Sequence, residues 1–299
     1  MSKYQFAVLD FELINRRNVA VMEPEELSLK NLLNINILSI FKLIDQYDFD
    51  IPIILFDSKP YFKSEFITEY KSNRKRFTID DLNALDKESE DYEKQYNKMK
   101  HDILKNEIAL EAKQYMIDNW KHFTIPIIYQ GLEADDMSFI FSRISNSNMI
   151  HITKDTDYIS HTYPNHDVLI ISKKGNVLHK YDEIFETHVP LEYQKVFNEL
   201  FKSSHNGIDV KKLGLTNEEI YTMYNDKSLD EDIIKRIDGL NPLTYLNDDI
   251  KSFLLTKLQQ PMNPDINYLK SYKYLAHKRI YGLQQRQVKD SFDELEELL

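Results

Sequence analysis

The run FAVLDF, residues 6–11, sets the pattern of this sequence, because it is a short apolar stretch that leads into an aspartate, Asp10. The same arrangement recurs in ILFD, residues 54–57, and in HITKDTD, residues 151–157. Helical patterns separate these runs, and such alternation is typical of a mainly parallel sheet covered by helices. We therefore predict an α/β fold.

The predicted strands occupy the first 180 residues. SKKGN, residues 172–176, is typical of a hairpin turn, and beyond Tyr181 the pattern is mostly helical. We therefore predict an α/β core over 1–180 and a helical C-terminal part over 181–299. The runs predicted to form strands are Phe6–Leu9, Ile51–Phe56, Thr124–Tyr129, Met149–Ile152 and Val168–Ile171.

Carboxylates follow the predicted strands directly or lie in LEADD, residues 132–136, which opens a helical segment. In an open parallel sheet the carboxyl ends of the strands share one edge, and ligands bind there. We therefore expect these acids to converge. They are Asp10, Asp57, Glu133, Asp135, Asp136, Asp155 and Asp157.

Convergent carboxylates repel one another and stay ionised together only when cations neutralise them. Oxygen ligands favour Mg²⁺ or Mn²⁺, and such a cluster can hold two ions about 3.5–4 Å apart for phosphodiester chemistry. The plainer alternative is capping, since aspartates commonly accept backbone N–H groups at helix starts. Capping explains any single acid better than it explains the whole set, so we predict a divalent-metal site.

The overall composition excludes several classes of function. With 38 Lys and Arg against 49 Asp and Glu, the formal net charge is −11, which excludes bulk attraction to nucleic acid. Cysteine is absent, which excludes disulfides, thiolate metal sites and a cysteine nucleophile. Neither GxGxxG nor a Walker sequence occurs. We find no membrane span or signal peptide and expect a cytoplasmic protein.

Two further segments each allow two interpretations. EYKSNRKRF, residues 69–77, is suited to phosphate neutralisation or is simply a solvated charged face. Residues 78–120 lack glycine and proline and have amphipathic helical spacing, which predicts a surface hairpin or a mobile cover over a site. The basic residues of the first segment are Lys71, Arg74, Lys75 and Arg76.

The sequence resembles the flap endonuclease or 5′-nuclease family, most closely its bacteriophage ribonuclease H type. The matching segments, in chain order, are AVLDF, ILFD, EYKSNRKR, the charged insertion, LEADD, TKDTD and YPN. The resemblance covers residues 5–215. It implies a PIN-like α/β nuclease core, divalent metal ions, and a helical arch at 78–120 that guides single-stranded 5′ ends.

The resemblance also assigns roles to individual residues. Lys71 and Arg74 would contact the scissile phosphate, and Asp136 and Asp157 would support a tight ion or a weaker second one. The tight ion would be held by Asp10, Asp57, Glu133, Asp135 and Asp155.

The implied activity is hydrolysis from the 5′ end, as a 5′-to-3′ exonuclease or flap endonuclease with ribonuclease H activity. Its substrates would be DNA with 5′ flaps or RNA–DNA hybrids. In a phage this monomer would remove primers during replication in the host cytoplasm. A ribonuclease acting on structured RNA is another possibility within the same chemistry.

The segment FKSSHN, residues 201–206, departs from the family pattern, because Lys202 and His205 stand where aspartates are expected. A lysine adds positive charge where a cation would sit, so the second metal site is expected to be weak or absent. The helix-hairpin-helix near 201–225 is also degenerate. The alternative function is therefore a catalytically impaired homologue that binds nucleic acid or replisome proteins.

The acidic end SFDELEELL, residues 291–299, is typical of a peptide that docks in a hydrophobic groove. We expect it to bind a sliding clamp or single-strand binding protein through Phe292, Leu295 and Leu298. Between Tyr268 and Lys289, tyrosines interleave with basic residues. This pattern favours packing of the tyrosines, with contact to DNA as the alternative.

Overall fold

A six-stranded sheet forms the centre of the computed structural model. The structure describes residues 3–47, 49–67, 70, 76–119, 124–172, 174–181, 189–190, 193–194, 196–197, 200 and 214–259. The strand order is β3-β2-β1-β4-β5-β6. The strands are β1 Tyr4–Asp10, β2 Phe49–Phe56, β3 Ile125–Ile128, β4 Met149–Thr153, β5 His166–Ile170 and β6 Val177–His179.

All neighbouring strands pair in parallel except β5 and β6, which pair antiparallel. The five predicted strands are therefore confirmed, with ends shifted by up to two residues, and β6 completes the predicted hairpin. Helices flank this sheet, which confirms the predicted α/β class. They are α1 Phe11–Ala20, α2 Leu29–Gln46, α3 Lys63–Phe66, α4 Ile79–Asn83, α5 Tyr92–Asn119, α6 Ala134–Ile144, α7 Asn217–Asn225, α8 Glu231–Leu240 and α9 Asp248–Gln259.

Strand β1 is buried on both faces, as a central parallel strand should be. Ala7 and Leu9 pack into one core with α1, α2 and α5, whereas Phe6 and Val8 pack into a second core with α6 and α9. In the register, Asp10 lies opposite Leu55 of β2, so the ends of the two strands are level. This alignment brings the following carboxylates to one edge.

The C-terminal helices pack where the chain leaves β2. A third core joins Ile67 to apolar side chains of α7 and α8. At Gly239 of α8 an added Cβ would lie 2.2 Å from Phe66 Cβ, so only glycine allows this approach. The predicted boundary near residue 180 stays a prediction.

The charged insertion is helical, as predicted, and consists of a short α4 and a long α5. With 28 residues, α5 is about 42 Å long. Its second half packs against the core through Ile108, Ala112 and Met116. Asn15 of α1 also donates to the Ala109 carbonyl at 2.8 Å. None of the described helices is long and apolar enough to cross a membrane.

Candidate metal centre

Two of the predicted acids cap helices at the carboxyl edge of the sheet. Asp10 ends β1 and accepts the Leu13 backbone N–H at 3.1 Å, which caps α1. Asp57 follows β2 and accepts the Ala134 N–H at 2.8 Å, at the start of α6. Capping and convergence are therefore not alternatives here, because the caps themselves hold the carboxylates in place.

Asp155 and Asp157 lie in the turn that follows β4. Asp155 caps the short 3₁₀ helix Thr156–His161 and accepts the Asp157 N–H at 3.0 Å. Its own N–H donates to Thr153 Oγ1 at 3.1 Å. Asp155 is exposed and Asp157 half-buried, so both carboxylates lie on the open side of the edge.

The electrostatics of Asp10 and Tyr158 show which acids lie together. Burial, and then the negative charge of Asp57, raise the pKa of Asp10 to about 8, with a smaller contribution from Asp135. Burial raises the pKa of Tyr158 well above its usual value, and the charges of Asp10, Asp135, Asp57 and Asp155 raise it further. These four carboxylates therefore share one region, where the Tyr158 hydroxyl donates to Asp10 Oδ2 at 3.4 Å.

The LEADD carboxylates form the inner part of the site. Glu133, Asp135 and Asp136 offer oxygen atoms that all lie within 4.8 Å of one another. Glu133 and Asp136 are buried, whereas Asp135 is half-buried. Lys63 lies among them, with Nζ 2.8 Å from Asp136 Oδ1 and 3.1 Å from Glu133 Oε2. The sequence analysis missed this lysine, which is one of several basic residues in its segment.

The long helix α5 is tied to the site by a second lysine that the sequence analysis missed. Lys113 Nζ donates to Glu12 Oε1 at 2.9 Å and to the Asp57 carbonyl oxygen at 2.5 Å. Arg16 approaches the other oxygen of Glu12 at 3.6 Å. These contacts join α5, α1 and the end of β2 beside the carboxylates.

A cavity of about 460 Å³ lies beneath α5, next to this junction. Arg76, the one described residue of the predicted basic patch, lines it together with Arg16, Lys59 and Lys105. Lys71, Arg74 and Lys75 lie outside the described residues, as do Lys202, His205, Phe292, Leu295 and Leu298.

The donor set fits a divalent cation. Several of the side chains that converge with Asp10 are carboxylates, which are the ligands that Mg²⁺ and Mn²⁺ prefer. Burial, and then the negative charge of Asp57, raise the pKa of Asp10, and a bound cation would neutralise that charge. The predicted acids that could hold an ion here are Asp10, Asp57, Asp135 and Asp155, with Asp157 beside them, and the group formed by Glu133, Asp135 and Asp136.

Comparison with known proteins shows the class of fold. Neither a protein-family model nor a curated protein matches the sequence. The bacteriophage T5 D15 protein co-crystallised with metal ions has a TM-score of 0.54 at 14% identity, over 91% of this chain and 99% of that one. The fold is thus similar to that of the T5 D15 protein, which confirms the PIN-like α/β fold that the family resemblance implies.

Two further T5 structures match over 92% of this chain and 98% of their own. One is the D15 flap endonuclease in a pseudo-enzyme-product complex with DNA and metal ions, at TM-score 0.51 and 15% identity. The other is T5 5′-exonuclease with bound zinc, at TM-score 0.50 and 16% identity.

Proposed function

We propose that this chain is a divalent-metal-dependent phosphodiester hydrolase of the 5′-nuclease type. The observation that carries the proposal is the gathering of Asp10, Asp57, Asp135 and Asp155 at one sheet edge, where their charges act on the same tyrosine. Carboxylates in such mutual conflict are typical of a functional site. The nuclease fold supports the same conclusion.

The ion would be Mg²⁺ or Mn²⁺, held by these four acids with Asp157. When bound, divalent cations would activate water and stabilise the leaving oxygen of a phosphodiester. The protein's own contribution is to fix the ligands, since the Leu13 and Ala134 N–H groups orient Asp10 and Asp57. The departure from the family pattern at Lys202 and His205, which stand where aspartates are expected, favours one tight ion.

Cationic side chains would bind the phosphates of the substrate. The cavity beneath α5 is lined by four basic residues, Arg16, Lys59, Arg76 and Lys105, against two acidic ones, Glu12 and Asp102, so a strand that enters it would meet a net positive charge. Lys71, Arg74 and Lys75 would add to this surface, with Lys71 and Arg74 at the scissile phosphate. This assignment rests on the sequence.

The proposed substrates are DNA with 5′ flaps and RNA–DNA hybrids. A 5′-to-3′ exonuclease or flap endonuclease with ribonuclease H activity would remove RNA primers in phage DNA replication. It would act as a monomer in the host cytoplasm. The C-terminal peptide would dock on a sliding clamp or single-strand binding protein through Phe292, Leu295 and Leu298.

The test is cleavage of end-labelled 5′-flap DNA and an RNA-primed duplex, in Mg²⁺ and then Mn²⁺, by the wild type and Asp155→Asn. We expect the wild type to cut and Asp155→Asn to lose about 100-fold or more in rate, as expected for removal of a group that stabilises the transition state. Asp167→Asn is the matched control. Asp167 accepts a hydrogen bond from the Tyr4 hydroxyl at 2.5 Å and is not one of the carboxylates of the site.

Two outcomes would contradict the proposal. Equal rates for Asp155→Asn and the wild type would place the chemistry elsewhere. Binding of both substrates without cleavage in either metal would instead support the impaired, nucleic-acid-binding homologue.

A further inference from the structure

The LEADD carboxylates share a lysine that is buried inside the protein. The Lys63 side chain is 1% exposed, and those of Glu133 and Asp136 are 2% and 1% exposed. Lys63 Nζ lies 2.8 Å from Asp136 Oδ1, 3.1 Å from Glu133 Oε2 and 4.0 Å from Asp135 Oδ2. A charge buried this deeply is tolerated only when it is paired and hydrogen-bonded, so these contacts are needed for the fold.

The backbone that carries Lys63 is held in place on both sides. An added Cβ at Gly131 would lie 2.8 Å from the Phe62 ring, so the chain before α6 packs directly on this ring. The Phe62 N–H also donates to the Gly131 carbonyl at 2.8 Å. At the end of α3, Phe66 packs against Gly239. These contacts fix the ammonium group among the carboxylates.

The three carboxylates differ in how they are satisfied. Glu133 accepts hydrogen bonds from Lys63 and from the Tyr70 hydroxyl, the latter at 2.5 Å. Asp136 has the shortest contact with Lys63 and is buried. Asp135 is the most exposed of the three, at 26%, and the most distant from the ammonium group. Only Asp135 therefore combines access to the open edge with a weak contact to Lys63.

We propose that Lys63 is a positioning residue: an internal cation that pairs with both Glu133 and Asp136 and offsets one of their two charges, so that of the LEADD acids only Asp135 ligates the metal. The role of Asp135 rests on the proposed function, whereas the pairing of Lys63 does not. Glu133 and Asp136 orient the start of α6, which carries Asp135. Without Lys63, three carboxylates with oxygen atoms within 4.8 Å of one another would be left to attract a cation.

The first experiment is calorimetric titration of the full chain with Mn²⁺, for the wild type, Lys63→Met, Lys63→Arg and Lys251→Met. Lys251 is an exposed residue of α9 and serves as the matched control. We expect Lys63→Met to bind one more Mn²⁺ ion than the wild type, and the other two variants to keep the wild-type stoichiometry. Folded Lys63→Met with unchanged stoichiometry would overturn the inference.

A second measurement covers the case in which Lys63→Met does not fold. Glu133→Gln is expected to keep the wild-type Mn²⁺ affinity within about threefold. Asp135→Asn is expected to weaken the Mn²⁺ affinity by at least about tenfold. Loss of a residue that only supports a metal ligand already weakens affinity by about that much, and Asp135 is itself proposed as a ligand. Equal losses in the two variants would make Glu133 a ligand and overturn the inference.

Failure of the proposed function gives a different pattern. A wild type that binds no Mn²⁺ and cuts neither substrate contradicts the nuclease assignment. Lys63→Met would then still gain an ion if the pairing of Lys63 with Glu133 and Asp136 is correct.

Discussion

Two groups of ionisable side chains lie near β4: carboxylates at the partly exposed carboxyl edge of the sheet, and histidines that are fully buried. At the carboxyl edge, burial and then the charges of Asp57 and Asp135 raise the pKa of Asp10 to about 8. Between α6 and the sheet, Ser138 Oγ lies 2.7 Å from His151 Nδ1 and 3.0 Å from His161 Nδ1. In the first group like charges repel one another, whereas the second group is joined by hydrogen bonds.

The histidine group, which we call the histidine network, continues to a third ring. His151 Nε2 lies 3.1 Å from His166 Nδ1, and His166 Nε2 lies 2.9 Å from the Ser145 carbonyl. Burial lowers the pKa of His151 well below its usual value and that of His166 to about 4. His151 and His166 are therefore neutral at pH 7.

This difference between the carboxylates and the histidine network indicates which of the two groups needs a ligand. Burial disfavours charge in both groups, but the histidines can become neutral and share hydrogen bonds, whereas the acids repel one another. A conflict that the chain does not resolve by itself indicates a binding site. Tyr158 lies between the groups, since its ring centroid is 4.3 Å from that of His161 and its hydroxyl contacts Asp10.

The larger of two expected effects on stability concerns the histidine network. The folded-state pKa of His166, about 4, lies below the unfolded value of 6.5, so its stabilisation is present above pH 6.5 and is lost as the pH falls toward 4. Between pH 7 and pH 5 this one group should cost about 2 kcal/mol of the free energy of unfolding. Urea denaturation at both pH values measures this loss.

The variant His166→Asn should lose less stability over that pH range than the wild type does. The control His179→Asn changes a half-buried histidine of β6, outside the network, and should keep the wild-type pH dependence. If His166→Asn and the wild type lose equal stability, His166 is not held neutral as described.

A smaller effect of opposite sign is expected at the acidic edge. Asp10→Asn should increase the free energy of unfolding of the metal-free protein at pH 8 by about 1–2 kcal/mol, because it removes a charge that Asp57 and Asp135 repel. Asparagine can still cap α1. The pKa of Asp10 is raised on folding, so the gain should shrink as the pH falls below 8. If urea denaturation at pH 8 shows that Asp10→Asn is less stable than the wild type, the charge of Asp10 is not repelled by its neighbours as described.

The acids at the strand ends are the part of the site that the sequence predicts well. Each acid at a strand end follows a clear apolar run, and parallel strands must bring such ends to one edge, so Asp10, Asp57 and Asp155 are predictable from local pattern alone. The mainly parallel α/β fold follows from the alternation of strands and helices.

Lys63 and the histidine network depend on contacts between distant parts of the chain. FKSEF, residues 62–66, is an ordinary mixed segment until Phe62 meets Gly131 and Phe66 meets Gly239. His151 lies inside an apolar run, and its partner Ser138 comes from a helix 13 residues earlier. Local pattern carries no signal for either arrangement.

The most direct test of the central claim, that the acidic edge binds a divalent cation and the histidine network does not, is thermal unfolding with increasing Mn²⁺. A ligand that binds only the folded state stabilises it by about 2.7 kcal/mol at 100 times its Kd. We predict that Mn²⁺ raises the Tm of the wild type and of His166→Asn, and raises that of Asp135→Asn far less. An equal rise in Asp135→Asn, or no rise in the wild type, would contradict the account.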